Sequence, residues 1–386
     1  MLRTILAAML LACSLVCALA QEEPAPPPPP TRNPDAKAPE KQPEKGPGSA
    51  EYAHAEVEIT EGGEGGKHYW LYAPAKPRPE KAPVVVFLHG WGGLKPDIYG
   101  AWLSHLCRKG NLVIFPQYQA DLKELAPAYS SNAAAGINDA LAWLEADKKR
   151  TQPEREKFAL AGHSAGALVA ANLASEHEKY KLPKPKACMP VQPGVTEGLR
   201  ALLRKNKPDW MEFGNTPEGC LLLCVYSDSD NVTGWWVARR IFMESTKVKE
   251  ADKNLVEVRS DVWGATPLIA DHGSPVTFGD KMQDALDWFA YWKLLDALCD
   301  AAFRGTNREY ALGDTEQQKF MGKWSDGKAV KTLKVWKGNE EVDPDEVYQP
   351  LYNRDGTPWE AKDKPDRPDR PGRKGPRGEK DPQEGK

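Results

Sequence analysis

Cysteine and histidine are scarce in this chain, and its charges almost balance. The 386 residues include seven cysteines and seven histidines, and the formal net charge is −3. Two cysteines lie in the apolar N-terminal segment, and the odd number that remains is too small for a disulfide scaffold, although one or two disulfides are compatible with it. No Cys-x-x-Cys pair or His–Cys cluster indicates a metal site, and no overall basic charge favours nucleic acid as a partner. The cysteines outside the N-terminal segment are Cys107, Cys188, Cys220, Cys224 and Cys299.

Long apolar runs are missing after the first twenty residues, so the sequence predicts no membrane span. Met1–Ala20 has a single arginine, an apolar stretch and Ala18-Leu19-Ala20 at its end. This pattern is typical of a secretory signal peptide cleaved after Ala20. Lipid attachment at Cys13 is the alternative, but it leaves a very short apolar region. We therefore expect a secreted or periplasmic protein.

Apolar residues are also rare at both ends of the mature chain. Residues 21–50 carry Pro26–Pro30 and then alternate proline with charge, which favours a stiff polyproline II linker. Residues 339–386 mix proline, glycine and both charges, and we predict a disordered tail that is dispensable for chemistry. The folded domain is then predicted over 51–305, with a small extension over 306–338 that resembles a strand pair.

Strand and helix patterns alternate along the predicted domain. Apolar runs such as Val84–Leu88 are typical of strands buried on both faces. Helical periodicity follows them, as in residues 132–149, where Asn132 is a predicted N-cap, and in an amphipathic helix over 281–303. The alternation predicts an α/β fold, with a mainly parallel twisted sheet and helices on both faces. Residues 195–219 depart from the pattern and are interpreted as an insert over the sheet edge.

The stretch FALAGHSAGALVAAN, Phe158–Asn172, places a serine between a predicted strand and a predicted helix. Gly-x-Ser-x-Gly in this context is a nucleophile elbow, a sharp turn that exposes its serine at the carboxyl end of the sheet. The helix N-terminus beneath it favours developing negative charge. Ser164 is therefore the candidate nucleophile, and a plain small-residue turn is the alternative.

A second glycine-rich turn, His89-Gly90-Trp91-Gly92-Gly93, follows the buried strand upstream of the elbow. With both motifs present, the sequence over about residues 55–303 resembles the α/β-hydrolase superfamily. The resemblance implies the α/β-hydrolase fold and an oxyanion hole built from the backbone N–H groups of Trp91 and Ala165. It also implies the chain order nucleophile, acid, base.

That order selects the base and narrows the acid to two candidates. His272 is the only histidine after the strand that ends near Ser227, and it lies where the superfamily keeps its base. Asp228 and Asp230 both follow this strand, and Asp230-Asn231-Val232 matches the superfamily's pattern better. A calcium-binding loop at these two aspartates is not expected, because the sequence around them lacks the glycine and the distal glutamate that such a loop needs.

The resemblance implies a serine hydrolase that cleaves carboxylic esters through an acyl-enzyme and needs no cofactor or metal, and the signal-peptide pattern predicts that it is exported. It is similar to the dienelactone-hydrolase, acetyl-esterase and polyester-hydrolase branches, so the expected partner is a small-molecule or polymer ester. The sequence has no segment long enough for a large cap domain, which predicts an open cleft and a preference for short acyl groups. A serine peptidase on the same fold and a non-catalytic binding protein are the alternatives. Four tryptophans near the predicted loops either line an apolar subsite or pack the sheet ends. They are Trp91, Trp235, Trp236 and Trp263.

Overall fold

The structure, a computed structural model, describes residues 32–124, 126–194, 212–277, 283–336 and 350–359. The predicted signal peptide and most of the predicted insert at 195–219 lie outside these residues. Within the described ranges, no helix combines the length and the apolar composition needed to cross a bilayer.

Nine strands in the described ranges form one sheet in the order β1-β2-β4-β3-β5-β6-β7-β8-β9. The pairings β1–β2, β2–β4 and β8–β9 are antiparallel, and the pairings between β4 and β8 are parallel. The predicted mainly parallel sheet is confirmed. The strands are β1 Glu56–Gly62, β2 Tyr69–Ala75, β3 Lys81–Leu88, β4 Leu112–Pro116, β5 Gln152–His163, β6 Ala187–Val191, β7 Leu221–Ser227, β8 Lys253–Val258 and β9 Lys334–Trp336.

Helices cover both faces of the sheet, and side chains of β3 show why. Val85 and Phe87 belong to one apolar cluster, whereas Val84, Val86 and Leu88 belong to another. Because successive residues of a strand face opposite sides, a continuously apolar strand needs cover on both. In the part of the chain that the structure describes, the α-helices are α1 Gly100–Arg108, α2 Tyr129–Glu145, α3 Ala165–Ser175, α4 Trp236–Glu244, α5 Lys293–Arg304 and α6 Glu316–Lys319.

Two helix predictions are wrong in detail. Helix α2 begins at Tyr129 with Ala128 as its N-cap, so Asn132 lies inside it and donates from Nδ2 to the carbonyl of Tyr118 at 3.2 Å. Tertiary contacts of Tyr129, which is 7% exposed, extend the helix beyond the local capping signal. The last amphipathic segment is a π-helical stretch, Asp287–Trp292, that continues into α5.

Residues 32–50 pack against the domain, so the prediction of a stiff spacer is wrong for them. Ala36 is fully buried, and the Gly48 N–H donates to Asp296 Oδ2 at 2.8 Å. A Cβ on Gly48 would lie 2.2 Å from the carbonyl oxygen of Trp288, so only glycine fits there. The average composition is polar, but a few small residues permit close contact with the main chain of the domain. We call residues 32–50 the N-terminal strap.

Described residues after 305 also belong to the folded unit. Strand β9 extends the main sheet and Trp324 is 1% exposed, while the bridge between Lys323 and Ala329 corresponds to the predicted strand pair. The disorder prediction fails for residues 350–359, where Leu351 donates its N–H to the carbonyl of Asp228 at 3.0 Å. Apolar and aromatic residues interrupt the charged composition there and make packing possible.

Candidate active site

The turn at Ser164 is sharp and sterically crowded. Ser164 follows β5 and precedes α3, with φ 56° and ψ −121°, a conformation that L residues rarely adopt. A Cβ on Gly162 would lie 2.5 Å from the carbonyl oxygen of Gly166, and a Cβ on Gly166 would lie 2.2 Å from that of Leu88. Both flanking glycines are therefore required by close backbone approach, as the elbow motif predicts.

Ser164, His272 and Asp230 form a continuous hydrogen-bonded row. His272 Nε2 lies 3.0 Å from Ser164 Oγ, and His272 Nδ1 lies 2.9 Å from Asp230 Oδ2. The three residues come from the β5–α3 turn, the loop after β7 and the loop after β8, which all open at the carboxyl edge of the parallel strands. The structure thus brings together the three side chains that the sequence assigns to nucleophile, base and acid.

The carboxylate of Asp230 is buried yet stays charged. Burial alone would raise its pKa, but the charge of His272 and hydrogen bonds from His272 and Thr233 outweigh burial and lower the pKa below its ordinary value. The N–H groups of Val232 and Thr233 donate to Oδ1 at 2.8 and 3.0 Å, and the Thr233 hydroxyl donates to Oδ2 at 2.7 Å. Sequence reasoning missed Thr233, although a threonine three residues after an aspartate is a recognisable turn signal.

Asp228, the alternative acid, is bonded elsewhere. Its Oδ1 accepts the hydroxyl of Ser260 at 2.6 Å and that of Ser229 at 2.9 Å, and its Oδ2 accepts the Ser260 N–H at 2.8 Å. Burial raises its pKa against these hydrogen bonds. Asp228 therefore ties the loop after β7 to the loop after β8 and does not contact His272.

The predicted oxyanion donors flank the serine. Ala165 is the first residue of α3, and a Cβ on Gly90, next to Trp91, would lie 3.3 Å from Ser164 Cβ. In the ranges described, neither the Trp91 nor the Ala165 backbone N–H has a hydrogen-bond partner. The loop is held by hydrogen bonds from Gly92 N–H to Gln119 Oε1 at 3.0 Å and from Gly93 N–H to the carbonyl of Gly90 at 2.9 Å.

The four tryptophans near the predicted loops differ in their surroundings. Trp91 is 59% exposed, whereas Trp235 and Trp236 are partly buried against the apolar cluster that contains Val84, Val86 and Leu88. Trp263 donates from Nε1 to Asp326, and Lys328 lies 3.1 Å above its ring. Packing therefore accounts for three of the four. Leu122, beside Gly92, and Val232, beside Asp230, are further exposed apolar side chains close to the candidate site.

Four buried polar side chains near the serine were missed by sequence reasoning. None of them belongs to a local pattern that distinguishes it from an ordinary buried polar group. They are Tyr99, the motif residue His163, Gln192 and Ser227.

Comparison with known proteins supports the architecture. Residues 48–209 match the model of a family described as Chlorophyllase, which is part of the α/β-hydrolase superfamily. The matched range contains the Gly90–Gly93 turn and the elbow and ends before Asp230 and His272. No curated protein matches the chain. The family match covers less than half of the chain and suggests an ester hydrolase, and together with the nine-stranded, mostly parallel sheet it shows the α/β-hydrolase fold.

Proposed function

We propose that this protein is an exported serine hydrolase that cleaves carboxylic esters, with Ser164 as nucleophile, His272 as base and Asp230 as acid. The observation that carries the proposal is the uninterrupted row from Ser164 Oγ through the imidazole to Asp230, with contacts of 3.0 and 2.9 Å. The strained backbone at Ser164 adds support, because such strain clusters at active sites.

The chemistry follows from the arrangement. Ser164 Oγ attacks the ester carbonyl carbon while His272 Nε2 takes its proton, and Asp230 holds the Nδ1–H tautomer and stabilises the charged imidazole. The carbonyl oxygen becomes an oxyanion between the N–H groups of Trp91 and Ala165, each worth roughly 3 kcal/mol in the transition state. His272 then gives its proton to the departing alcohol.

The second half of the cycle uses the same groups. Water loses a proton to His272 Nε2 and attacks the acyl-enzyme, the tetrahedral intermediate collapses, and Ser164 recovers its proton as the carboxylic acid leaves. None of these steps requires a cofactor.

Substrate class follows from exposure around the serine. The His272 side chain is 18% exposed, and Trp91, Leu122 and Val232 offer exposed apolar surface beside the row. We propose short acyl esters or polymer-linked esters as substrates, since an open apolar rim contacts the flanks of a substrate without enclosing a long chain. A serine peptidase on the same fold is the second candidate, and amide turnover would distinguish it.

Fluorophosphonate labelling followed by peptide mapping tests the proposal. The Ser164 oxygen forms a bond to phosphorus and fluoride leaves, so the adduct identifies the nucleophile. Ser164→Ala should remove labelling and ester turnover, whereas Ser131→Ala, at an exposed serine of α2, should leave both unchanged. Labelling retained in Ser164→Ala, or an unchanged protein that neither labels nor cleaves esters, would contradict it.

A further inference from the structure

A row of buried hydrogen bonds runs beneath Ser164 and joins the two loops on either side of it. The Gly90 N–H lies 3.0 Å from the Tyr99 hydroxyl, which lies 2.8 Å from His163 Nδ1. On the other side of the ring, His163 Nε2 lies 3.0 Å from Gln192 Oε1. Gln192 Nε2 then lies 2.7 Å from the carbonyl oxygen of Asp271, the residue before His272. We call this row the buried relay.

The two ends of the relay determine the direction of every hydrogen bond in it. A carbonyl only accepts, so Gln192 must present its NH₂ to Asp271 and its oxygen to His163. His163 therefore carries its proton on Nε2 and accepts at Nδ1, and the Tyr99 O–H donates to it. The Tyr99 oxygen in turn accepts the Gly90 N–H. Burial lowers the pKa of His163 to about 3, in agreement with the neutral ring that this order needs.

A side branch ties the same amide to the last helical segment. Gln192 Nε2 also donates to Ser227 Oγ at 2.7 Å, and Tyr291 OH lies 3.1 Å from that oxygen and 2.6 Å from Ser274 Oγ. The Ser274 hydroxyl donates to the carbonyl of Asp271 at 2.7 Å, so the branch closes on the same acceptor as the relay. Asp271 is thus held from two directions, immediately before the candidate base.

Gln192 itself is held in an unusual conformation. It directly follows β6, is fully buried, and has a φ of 46°. Its N–H donates to the carbonyl of Val225 at 2.7 Å, and its carbonyl oxygen lies 3.2 Å from the Thr233 hydroxyl. Non-glycine residues with positive φ are costly and persist where the surroundings require one geometry. Gln192 therefore contacts the elbow and the base loop through its side chain and the acid loop through its main-chain carbonyl.

We propose that Gln192 is a positioning residue that, through His163 and Tyr99, sets the oxyanion turn and the base loop at the separation needed for acyl transfer. This proposal rests on the proposed ester hydrolysis. None of the three residues touches the substrate. They hold the Gly90–Trp91 turn and His272 at fixed distances from Ser164.

The first test compares two buried glutamines. Gln192→Leu cuts the relay at its centre, and kcat should fall by about 100-fold with KM nearly unchanged, since a displacement near 1 Å can cost that much. Gln318 is also fully buried, but its amide hydrogen-bonds Asn254 and Asp314, away from the serine. Gln318→Leu should lose comparable stability and keep its kcat. Equal kcat values in the two variants would overturn the proposal.

Gln192→Glu tests the relay through the pH dependence of turnover, which a simple loss of stability would not change in the same way. In Gln192→Glu, a protonated carboxyl keeps the acceptor for His163 and the donation to the carbonyl of Asp271 and loses only the donation to Ser227, whereas an ionised carboxylate repels the carbonyl of Asp271. Burial raises the pKa of a carboxyl group, so this variant should be active at lower pH and lose turnover as the pH rises. The unchanged protein and Gln318→Glu should lack this alkaline loss. A Gln192→Glu profile parallel to theirs would contradict the relay.

Tyr99→Phe keeps the ring and removes one link, so it tests the relay even if the substitutions at Gln192 prevent folding. Its fluorophosphonate labelling should be about tenfold slower than that of the unchanged protein, as expected for a smaller displacement. Labelling at the unchanged rate would refute the relay alone. If the unchanged protein does not label at all, the proposed function fails and the relay proposal fails with it.

Discussion

Asp228 and Asp230 are two residues apart, yet their carboxylates face opposite partners, Ser260 in one case and His272 in the other. The hydroxyl of the intervening Ser229 donates a hydrogen bond to the carboxylate of Asp228, whereas the carboxylate of Asp230 accepts one from the Thr233 N–H. One short segment therefore supplies both Asp228, which connects two loops by hydrogen bonds, and Asp230, the candidate catalytic acid.

The two aspartates should respond differently to amidation. Asp230→Asn removes the charge beside His272 and favours the wrong tautomer, so kcat should fall by about 10⁴ with little change in KM. Asp228→Asn instead replaces an acceptor used by Ser260 and should cost about 1–3 kcal/mol of the free energy of unfolding. Steady-state kinetics and urea unfolding measure the two effects. The reverse order of kcat losses would make Asp228 the acid.

Gly166→Ala should destabilise the fold severely. The new Cβ would lie 2.2 Å from the carbonyl oxygen of Leu88 and 2.3 Å from that of His89, and both are backbone atoms that cannot move aside. We expect a loss of about 4 kcal/mol or more. Gly100→Ala is the matched control, since nothing lies within 4 Å of its Cβ position, and it should gain up to about 1 kcal/mol. Similar denaturation midpoints for the two variants would contradict the tight elbow.

Two truncations should show which part of the C-terminal region contributes to turnover and stability. Removal of residues 360–386 should leave turnover unchanged. Removal of residues 337–386 also deletes the contacts of Leu351 with Asp228 and of Tyr352 with Ser229 Oγ, so turnover and stability should both fall. This outcome differs from the sequence prediction that the whole tail is dispensable. Equal activity of the two truncated proteins would restore that prediction.

Stability should fall in acid because of two buried histidines. Burial lowers the pKa of His163 to about 3 and that of His89 to about 4, whereas an unfolded histidine titrates near about 6.5. Between these values the unfolded chain binds more protons, so the free energy of unfolding rises with pH and levels off above about 6.5.

Each of these two histidines should contribute about 1 kcal/mol per pH unit near pH 5. Urea unfolding at several pH values measures the slope, and His163→Gln should reduce it by the share of one histidine. A slope that this variant leaves unchanged would mean that His163 is charged in the folded protein.

Ester chain length should limit turnover. Each CH₂ adds about 0.8 kcal/mol only when it is buried, and the exposed rim around Trp91 buries little. A p-nitrophenyl ester series should therefore show kcat/KM highest for about C2 to C6 acyl groups, and peptide anilides should react far more slowly. Trp91→Ala should raise KM while keeping the backbone donor, whereas Ile59→Ala, at an exposed residue of β1, should not. A maximum at C12 or longer would contradict the open rim.

The strands and the elbow were predictable because their signals are local. Strand β3 is apolar without interruption, and Gly162 and Gly166 stand at the spacing that a tight turn requires. The grouping of Ser164, Asp230 and His272 followed from the resemblance, because chain order alone selected the histidine.

The remaining features depend on tertiary contacts. Gln192 is one polar residue after an apolar strand, and the hydrogen bonds of its side chain with His163, Ser227 and Asp271 form only when distant loops are assembled around it. Composition also misjudged residues 32–50 and 350–359, because a few small or aromatic contacts outweigh a polar average.

The N-terminal strap and the C-terminal segment meet where Arg32 donates to the carbonyl of Gly356 at 2.7 Å. The described fold therefore starts and finishes at one place on its surface. A short linker between these two positions is enough to close the chain into a ring. New ends opened at the exposed Lys148–Lys149 turn would then give a circular permutant with the same sheet order, because that turn lies outside every strand.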